Sequence, residues 1–507
     1  MEMIIAGLMD SLTPASLMYV FIGVAIGVLI GAIPGINGPM AIALFIPVTY
    51  YMSALTAIGF LIGLNKGAFF GGAVSAVLLR TPGTPEAAAT AWDGYPLTLQ
   101  GKGEKALRMA LYSSVAGDFI STGVLIVIAA PLAAVALFMG PAEVFALISL
   151  ALTVIAGIGT SSIFRGLMAA SLGLAVGMIG TEPVTALPRL TFDIYQLGDG
   201  VRLIPVAIGL LAFSEILIQL ERIVIKGVGT HAPNVSSSKR EDRLLSWKEF
   251  IGNARTLLRG TAIGIGVGAM PGLGAPVASF MSYDQAMKRS KHPEEFGKGR
   301  LEGIGASESA NSAVVAASLI PLFVLGIPGN LAVAMLMGAF MIQGLQPGPL
   351  MFEENARLMY GVYGSLIIAS FFLLIIGRFG LKLFCKVVDI PASILYPIII
   401  FTSIMGSYLG QSSMFDVIVM LIFGIVGYFM RKFDFSYVAF LIGFILAPEW
   451  ERAFQQVVIL SQFDTLMFFQ RPVAMGLMAL TFFVIGKTFW KNVKIKKQRS
   501  IDANEHG

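Results

Sequence analysis

The sequence has few of the residues on which most catalytic and metal sites depend. Its single cysteine, Cys385, excludes an internal disulfide bond and a cysteine-based metal cluster. It also lacks an HExxH motif, a GxSG-type serine motif and a complete phosphate-binding loop. The sequence therefore predicts that the protein is not an enzyme and uses no cofactor. The three histidines, His231, His292 and His506, all lie in polar stretches. We therefore expect no histidine proton relay within the apolar segments.

Charged residues are scarce as well. They make up 13% of the 507 residues, against roughly 25% in soluble domains, whereas hydrophobic residues make up 56% and the mean hydropathy is +0.81. Apolar runs of about 20 residues, long enough to cross a lipid bilayer, recur along the chain. The sequence predicts an all-α polytopic membrane protein with about 10–14 membrane segments. The net charge of +5 is small and lies in loops, so a nucleic-acid partner is not expected.

One glycine-proline signature occurs twice. The segments GVAIGVLIGAIPGINGPMA, from Gly23 to Ala41, and GTAIGIGVGAMPGLGAPVA, from Gly260 to Ala278, share most of their glycine, alanine and proline positions. Two related halves with helices broken at the same place are typical of secondary transporters. We therefore predict two membrane repeats joined by a linker and followed by a basic tail, with these bounds: 1–222, 223–259, 260–490 and 491–507.

The distribution of lysine and arginine predicts the topology. Basic residues are concentrated in the linker and in the C-terminal tail, and residues 1–22 contain none. Basic loops stay on the cytoplasmic side, so we expect the linker and the C-terminus to be cytoplasmic. The first signature would then enter the bilayer from outside and the second from inside, which makes the halves inverted repeats with broken helices or re-entrant hairpins.

Each signature contains a Pro-Gly pair that should interrupt its helix. Proline removes a backbone donor, and glycine permits left-handed geometry. The freed backbone groups then need protein partners or a watery cavity. We predict that Gly35, Asn37 and Gly272 contribute to a cation site, the alternative being a purely structural kink.

A second Pro-Gly pair follows each signature. Both pairs come after an apolar stretch and before an alanine-rich helix, which we expect to begin at Thr84 or Asn330, residues suited to capping. The exposed amides and the positive dipole end of such a helix can hold an anion without a charged side chain. The predicted substrate-binding residues at these breaks are Thr81, Pro82, Gly83, Thr84, Pro328, Gly329 and Asn330.

Ionisable residues within the spans are functional candidates because charge is costly in a bilayer. Lys66 lies in GLNKGAFFGG, where a buried ammonium could meet a substrate carboxylate. The alternatives for Lys66 are a structural ion pair and an interfacial lysine. Glu308 lies among hydroxyl and amide oxygens that could bind a cation, and the predicted residues of this site are Ser307, Glu308, Ser309 and Asn311.

Five segments in order resemble a known family: GAIPGINGP, NKGAFFGGAVSAVLLRTPGTPEAAATAWDGYPL, GAMPGLGAP, SESANSAVVAASLIPLFVLGIPGN and GLQPGP. Over nearly its full length the chain resembles the large, TctA-like membrane subunit of the tripartite tricarboxylate transporter family. The resemblance implies a bacterial inner-membrane secondary transporter for citrate or related carboxylates, driven by a sodium or proton gradient. It also implies two partners, a small four-helix membrane subunit and a periplasmic solute-binding protein.

Three classes of function fit the broken helices. A gradient-driven carboxylate carrier would use them as a central site for alternating access. An anion-selective channel would arrange them around a pore, and a membrane scaffold would use the glycine stripes for helix packing alone. Saturable, gradient-coupled uptake distinguishes the carrier from the channel. Under the scaffold hypothesis, changes at the breaks would alter stability alone.

Overall fold

A computed structural model describes residues 2–33, 35–80, 83–157, 162–182, 187–226, 240–387, 392–461 and 471–487. Within these residues nearly all regular structure is helical. Seven helices are long and apolar enough to cross a membrane, and six further apolar helices are shorter, with 10–17 residues. The predicted all-α polytopic membrane fold is therefore confirmed.

The helices have the following bounds: α1 Glu2–Ser11, α2 Pro14–Gly31, α3 Gly38–Phe45, α4 Ala54–Leu79, α5 Ala88–Leu99, α6 Gly103–Ala136, α7 Pro141–Ala156, α8 Ile163–Gly177, α9 Leu203–Ile208, α10 Ser214–Lys226, α11 Arg240–Arg243, α12 Trp247–Gly252, α13 Ala254–Gly268, α14 Gly274–Arg289, α15 Leu301–Ala317, α16 Leu319–Leu325, α17 Leu331–Ile342, α18 Met351–Glu354, α19 Ala356–Val387, α20 Ala392–Leu409, α21 Met414–Lys432, α22 Tyr437–Leu460 and α23 Pro472–Lys487. A π-helical turn, Gly209–Phe213, joins α9 to α10, and short 3-10 turns occupy Ile46–Tyr51, Pro85–Ala87, Tyr195–Leu197 and Pro293–Glu295. Two short strands, β1 Gly180–Thr181 and β2 Pro188–Arg189, pair antiparallel.

The first signature folds into a hairpin of α2 and α3 against α4. α2 runs parallel to α4 at very close range. A Cβ on Gly23 would lie 2.2 Å from the Phe60 carbonyl oxygen, and a Cβ on Gly27, four residues later, would lie 2.2 Å from that of Leu64. α3 returns along α4, which brings the Phe45 ring to 6.0 Å from the Phe60 ring. Both ends of the hairpin therefore lie beside the beginning of α4.

The second signature folds in the same way. α13 runs parallel to α15, where a Cβ on Gly264 would lie 2.3 Å from the Ala310 carbonyl. α14 returns along α15, and Ser282 donates a hydrogen bond to the Ala306 carbonyl at 2.6 Å. Glycine on one helix facing carbonyls on the other is the close packing that small residues permit between membrane helices.

The long helices beside the hairpins form the centre of the molecule. In the most apolar 18-residue stretch of each long helix, the share of buried residues differs widely. It is 100% in α4 and 94% in Leu301–Leu325, which comprises α15 and α16, but only 33% in both α6 and α21. Because lipid contacts the exposed apolar faces, α6 and α21 are peripheral and α4 and α15 are central.

We call α2–α5 the first unit and α13–α17 the second unit. The end of each unit contacts the residues just before the long central helix of the other. Gln343, after α17, donates to the Thr49 carbonyl just before α4 at 3.0 Å. Gln100, after α5, donates to the Lys298 carbonyl just before α15 at 2.9 Å. The end of each unit thus lies beside the beginning of the other.

The predicted repeat boundaries stay predictions. α13 begins at Ala254, within the stretch predicted as the linker 223–259, and the short helices α11 and α12 precede it. Residues 227–239 of the linker and the tail 491–507 lie outside the described residues.

Candidate functional site

The Pro-Gly pair of the first signature interrupts the hairpin as predicted. α2 ends at Gly31, Gly35 adopts the left-handed region with φ +95°, and α3 begins at Gly38. Asn37 is the N-cap of α3, since its side-chain oxygen accepts a hydrogen bond from the Met40 amide at 3.0 Å. Pro34 lies outside the described residues.

The matching pair in the second signature has the same geometry. α13 ends at Gly268, and Gly272 has φ +93°. The Gly272 amide donates to the Gly329 carbonyl at 2.8 Å. The break at Gly272 therefore directly contacts the later break of the same half, at Gly329.

The break after α4 packs back onto the first hairpin. Arg80 is left-handed with φ +58° and ends the helix. A Cβ on Gly83 would lie 2.3 Å from the Gly31 carbonyl, so this segment also contacts the hairpin of its own half. Thr84 is 1% exposed, and its hydroxyl has no hydrogen-bond partner among the described residues. The predicted site residues Thr81 and Pro82 lie outside those residues.

The break after α16 has the corresponding geometry. Gly326 is left-handed with φ +69°, and Pro328 and Gly329 are buried. Asn330 caps α17, because its side-chain oxygen accepts from the Val333 amide at 3.0 Å. Its side-chain nitrogen donates to the Ser318 hydroxyl at 3.0 Å. The prediction that Asn330 caps a helix is confirmed. For Thr84 the prediction is wrong, because the 3-10 turn Pro85–Ala87 separates it from α5, which begins at Ala88, and its side chain accepts no capping hydrogen bond.

Glu308 is fully buried at the junction of α5, α6 and α15. Its two carboxylate oxygens accept hydrogen bonds from the hydroxyls of Thr90 and Ser114, the latter at 2.8 Å. The hydroxyl of Ser307 lies 2.9 Å from that of Thr90. Among the described residues no lysine or arginine forms an ion pair with Glu308. Ser309, by contrast, donates to the Ala306 carbonyl at 3.3 Å.

Two asparagines occupy corresponding places in the two halves. Asn65 on α4 and Asn311 on α15 precede Gly83 and Gly329 by the same number of residues. Asn65 is 2% exposed, and its side-chain oxygen makes no hydrogen bond within the described part of the chain. Asn311 is 0% exposed, and its side chain lies close to the Glu308 carboxylate, although neither of its polar atoms makes a hydrogen bond of normal geometry within the described residues. Buried polar atoms without partners are rare in native structures, so these two side chains are candidates for contact with a ligand, an ion or water.

Lys66 lies apart from the breaks. Its ammonium is paired with the Asp118 carboxylate at 2.7 Å and also donates to the Leu366 carbonyl at 2.8 Å and the Ser370 hydroxyl at 3.0 Å. These three partners use the three protons of the ammonium. A substrate carboxylate could reach Lys66 only if the ion pair opened.

The sequence gives no signal strong enough to single out three residues near Glu308. These are its two hydrogen-bond donors, Thr90 and Ser114, and Glu86, whose turn packs against α15. Thr90 and Ser114 are ordinary helix residues whose link to Glu308 exists only in the folded chain. Glu86 follows directly after the first-half break, in the turn Pro85–Ala87, and is 7% exposed. An acidic residue at the start of a helix is common, because the helix dipole favours it there.

Comparisons of the sequence with known proteins identify its family. The profile described as Tripartite tricarboxylate transporter TctA family matches residues 17–442. A protein of Agrobacterium vitis described as "Uncharacterized 52.8 kDa protein in TAR-I ttuC' 3'region" is 34% identical over 494 residues, 97% of each chain. Another protein of this organism, "Uncharacterized protein in TAR-II ttuC' 3'region", is 33% identical over 233 residues, 46% of this chain and 96% of its own. No solved structure matches the chain. With its profile covering most of the sequence, the chain belongs to the tripartite tricarboxylate transporter TctA family.

Proposed function

We propose that this protein is the carrier subunit for secondary active uptake of citrate or related di- and monocarboxylates across the bacterial inner membrane. As a member of its family it is a component of a tripartite transport system, which includes partner subunits and a binding protein. We assign those roles to a small four-helix membrane subunit and a periplasmic solute-binding protein. A sodium or proton gradient supplies the driving force, and the C-terminus lies in the cytoplasm.

The observation that carries this proposal is the pairing of breaks within each half. Gly83 packs on the Gly31 carbonyl in the first half, and the Gly272 amide bonds to the Gly329 carbonyl in the second. Each half thus gathers two interrupted helices at one place, the arrangement in which half-helix ends bind substrate and coupling ion.

An inverted relation between the halves fits the contacts at their ends. Thr49, just before α4, is hydrogen-bonded to Gln343 at the end of the second unit. Lys298, just before α15, is hydrogen-bonded to Gln100 at the end of the first. If the two units are inverted copies, α4 and α15 enter the bilayer from opposite sides. Such units can alternate in opening toward each side by moving against each other.

The substrate carboxylates would bind at the amides that begin α5 and α17. The first amides of a helix lack intrahelical partners and carry the positive end of the dipole. Thr84 adds a buried hydroxyl without a partner among the described residues, and Asn330 holds the start of α17 in place. Lys66 stays a predicted substrate residue, although its ion pair with Asp118 favours a scaffold role.

The coupling cation would bind on the same central helices. The side-chain oxygens of Asn65 and Asn311 lack partners within the described ranges, and Asn65 Oδ1 would lie 2.9 Å from a Cβ on Gly38, at the beginning of α3. Asn37 and Ser309 contribute oxygens that are already hydrogen-bonded, to the Met40 amide and the Ala306 carbonyl respectively. The other residues that we assign to this region are Gly35, Gly272, Ser307 and Glu308.

Uptake of labelled carboxylates tests the function. Cells would express this chain with its small membrane subunit and its binding protein, and citrate and a panel of dicarboxylates would be offered under separate sodium and proton gradients. We expect saturable uptake that requires all three proteins and collapses with one gradient. Flux that does not saturate and needs no gradient would indicate a channel. No uptake of any carboxylate, with all three proteins present in the membrane, would refute the substrate class.

A further inference from the structure

A carboxylate of the first unit is bound at the start of the central helix of the second unit. Asp93 lies on α5 and is 0% exposed. Its Oδ1 accepts hydrogen bonds from the amides of Gly299 and Arg300, just before α15, at 2.9 and 2.8 Å. Its Oδ2 accepts from the Tyr283 hydroxyl on α14 at 2.8 Å. Asp93 thus joins α5 to two helices of the second unit.

The surface of α15 admits this carboxylate because of a glycine. A Cβ on Gly303 would lie 2.1 Å from Asp93 Oδ2, so a larger residue at this position would displace the carboxylate. Hydrogen bonds to an ionised acceptor are stronger than those between neutral groups. The positive end of the α15 dipole adds to them. A single side chain therefore makes a strong contact between the two units.

Asp93 lies between the proposed substrate site and a cleft on the face that carries the linker helices α11 and α12, which we call the linker face. One turn before Asp93, Ala89 packs in a buried apolar cluster with Tyr283 and other residues of α14 and α15. Beyond Asp93 the cleft has a volume of about 350 Å³ and is lined by Arg300 and by Glu249 of α12. The proposed substrate site includes the first amides of α5. A path from that site to the linker face therefore has to part α5 from α14 and α15.

The cleft allows water to replace the partners of Asp93. Gly299 and Arg300 line it, so their amides and the carboxylate become hydrated when α5 moves away. A hydrogen bond within a protein exchanges for bonds to water at a small net free energy. The contact can therefore open and close without leaving a charge buried and unpaired.

The equivalent positions on the other side of the repeat cannot form this contact. Counted from the glycine of the corresponding break, the residues equivalent to Asp93 and Tyr283 are Ala339 and Ile46. Neither side chain can donate or accept a hydrogen bond. The carboxylate contact is therefore specific to the linker face and is not a general feature of the two units.

We propose that the three hydrogen bonds of Asp93 are a latch that closes the substrate site toward the linker face, and that they break and re-form in every transport cycle. This inference rests on the proposed function, because a latch has a task only in a carrier whose site opens to each side in turn. With the linker in the cytoplasm, opening of the latch releases the carboxylate inward.

The first test needs no substrate. Labelling of Ala89→Cys by a membrane-impermeant maleimide, in a chain with Cys385→Ser, reports opening beneath the latch. Vesicles of both orientations are labelled, and a separate variant, Lys298→Cys, exposed beside the latch, identifies the linker face. We expect labelling from the linker face to become about tenfold faster with Tyr283→Phe or Asp93→Asn, because a hydrogen bond to a charged group is lost or weakened. Labelling from the opposite face should not increase.

Thr98→Val is the matched control. It removes a buried hydroxyl from the same helix, but this hydroxyl bonds to the Val77 and Gly94 carbonyls within the first unit, at 2.8 and 3.2 Å. It should leave the labelling rate unchanged. Tyr283→Phe keeps the aromatic ring and its packing, so it tests the latch even if Asp93→Asn does not fold. Labelling at the control rate, or an equal increase from both faces, refutes the latch.

A reversible cross-link tests whether the latch has to open. Gln100→Cys with Lys298→Cys, again with Cys385→Ser, places two thiols across the same contact, since Gln100 donates to the Lys298 carbonyl at 2.9 Å. In liposomes containing the complex, uptake of labelled citrate is measured before and after treatment with a short bis-methanethiosulfonate reagent. We expect uptake to stop when the thiols are linked and to return after reduction. Uptake that continues in the linked protein overturns the latch.

The outcomes distinguish the latch from the carrier function. If citrate and related carboxylates are taken up but Tyr283→Phe and Asp93→Asn label no faster than Thr98→Val, the carrier function stands and the latch is refuted. If the wild type transports no carboxylate, the carrier function fails. Faster labelling from the linker face alone would then still show that the Asp93 contact closes that face.

Discussion

The ammonium of Lys66 lies 2.7 Å from the carboxylate of Asp118, and both side chains are sealed from solvent at 1% and 2% exposure. Ser370 strengthens the pair by accepting from Lys66 and donating to Asp118 at 2.6 Å. The pair connects α4 and α6 of the first half to α19 of the second. In a bilayer such a pair holds its helices together because neither partner has water as an alternative.

Removal of one partner should therefore destabilise the protein. Lys66→Ala leaves the Asp118 charge buried and unpaired, which typically costs about 3–5 kcal/mol in the free energy of unfolding. The double variant Lys66→Met with Asp118→Leu should recover most of this loss, since apolar replacement of a buried pair is often neutral. Denaturant titration in detergent micelles measures both. If Lys66→Ala is as stable as the wild type but needs more substrate for half-maximal uptake, Lys66 is instead a substrate ligand.

The glycine stripe on α13 allows a matched test of close packing. Gly264→Ala would place a methyl group 2.3 Å from the Ala310 carbonyl, whereas Gly266 has no atom within 4 Å of the position of a Cβ. We expect Gly264→Ala to lower the free energy of unfolding by about 1–3 kcal/mol through overpacking. Gly266→Ala on the same helix should be neutral or should raise it by up to about 1 kcal/mol. Equal effects of both substitutions would show that α13 does not pack on α15 as described.

The sequence predicted those features of the fold that depend on local chemistry. The breaks at Gly35 and Gly272 were predictable because proline and glycine act on their own stretch of backbone. The family likewise follows from motifs that each lie within one short segment. The contacts from Thr90 to Glu308 and from Lys66 to Asp118 join residues far apart in the chain, so one sequence carries no signal for them. For Lys66 the sequence allowed either an ion pair or a substrate contact. The choice between them depends on Asp118, which lies beside Lys66 only in the folded chain.

Changes at the second pair of breaks should abolish uptake while the protein stays in the membrane. A Cβ on Gly83 would lie 2.3 Å from the Gly31 carbonyl, and one on Gly329 would lie 2.7 Å from the Ser318 carbonyl. Gly83→Val and Gly329→Val therefore displace the amides of the proposed substrate site. Gly123→Val on α6 is the control, because no atom lies within 4 Å of a Cβ there. Uptake assays alongside quantification of the protein in membranes separate the two effects, and normal transport by either break variant would place the substrate elsewhere.

Asn330 separates helix capping from anion binding. Asn330→Ala removes the cap of α17 and should cost about 1 kcal/mol of stability. Asn330→Asp keeps an oxygen for the Val333 amide but adds a negative charge beside the proposed substrate carboxylate. We expect its apparent affinity for carboxylates to fall by about tenfold or more, a change of about 1.4 kcal/mol. Thr13→Asp, at the exposed cap of α2, adds the same charge away from the site and should leave uptake unchanged. Unchanged uptake by Asn330→Asp would remove α17 from the substrate site.

The attachment of α1 should depend on pH through Asp10. Hydrogen bonding to Arg357, at 2.7 and 2.9 Å, holds the pKa of the Asp10 carboxyl below its usual value. Because the pKa is lowered in the folded state, the ion pair stabilises α1 fully above the unfolded value of about 3.9 and is lost as the pH falls through the folded value. Amide hydrogen exchange in α1, corrected for its intrinsic pH dependence, should therefore accelerate below about pH 4. Asp10→Asn should exchange at the faster rate at every pH, and an acid response that persists in this variant would assign the effect to another group.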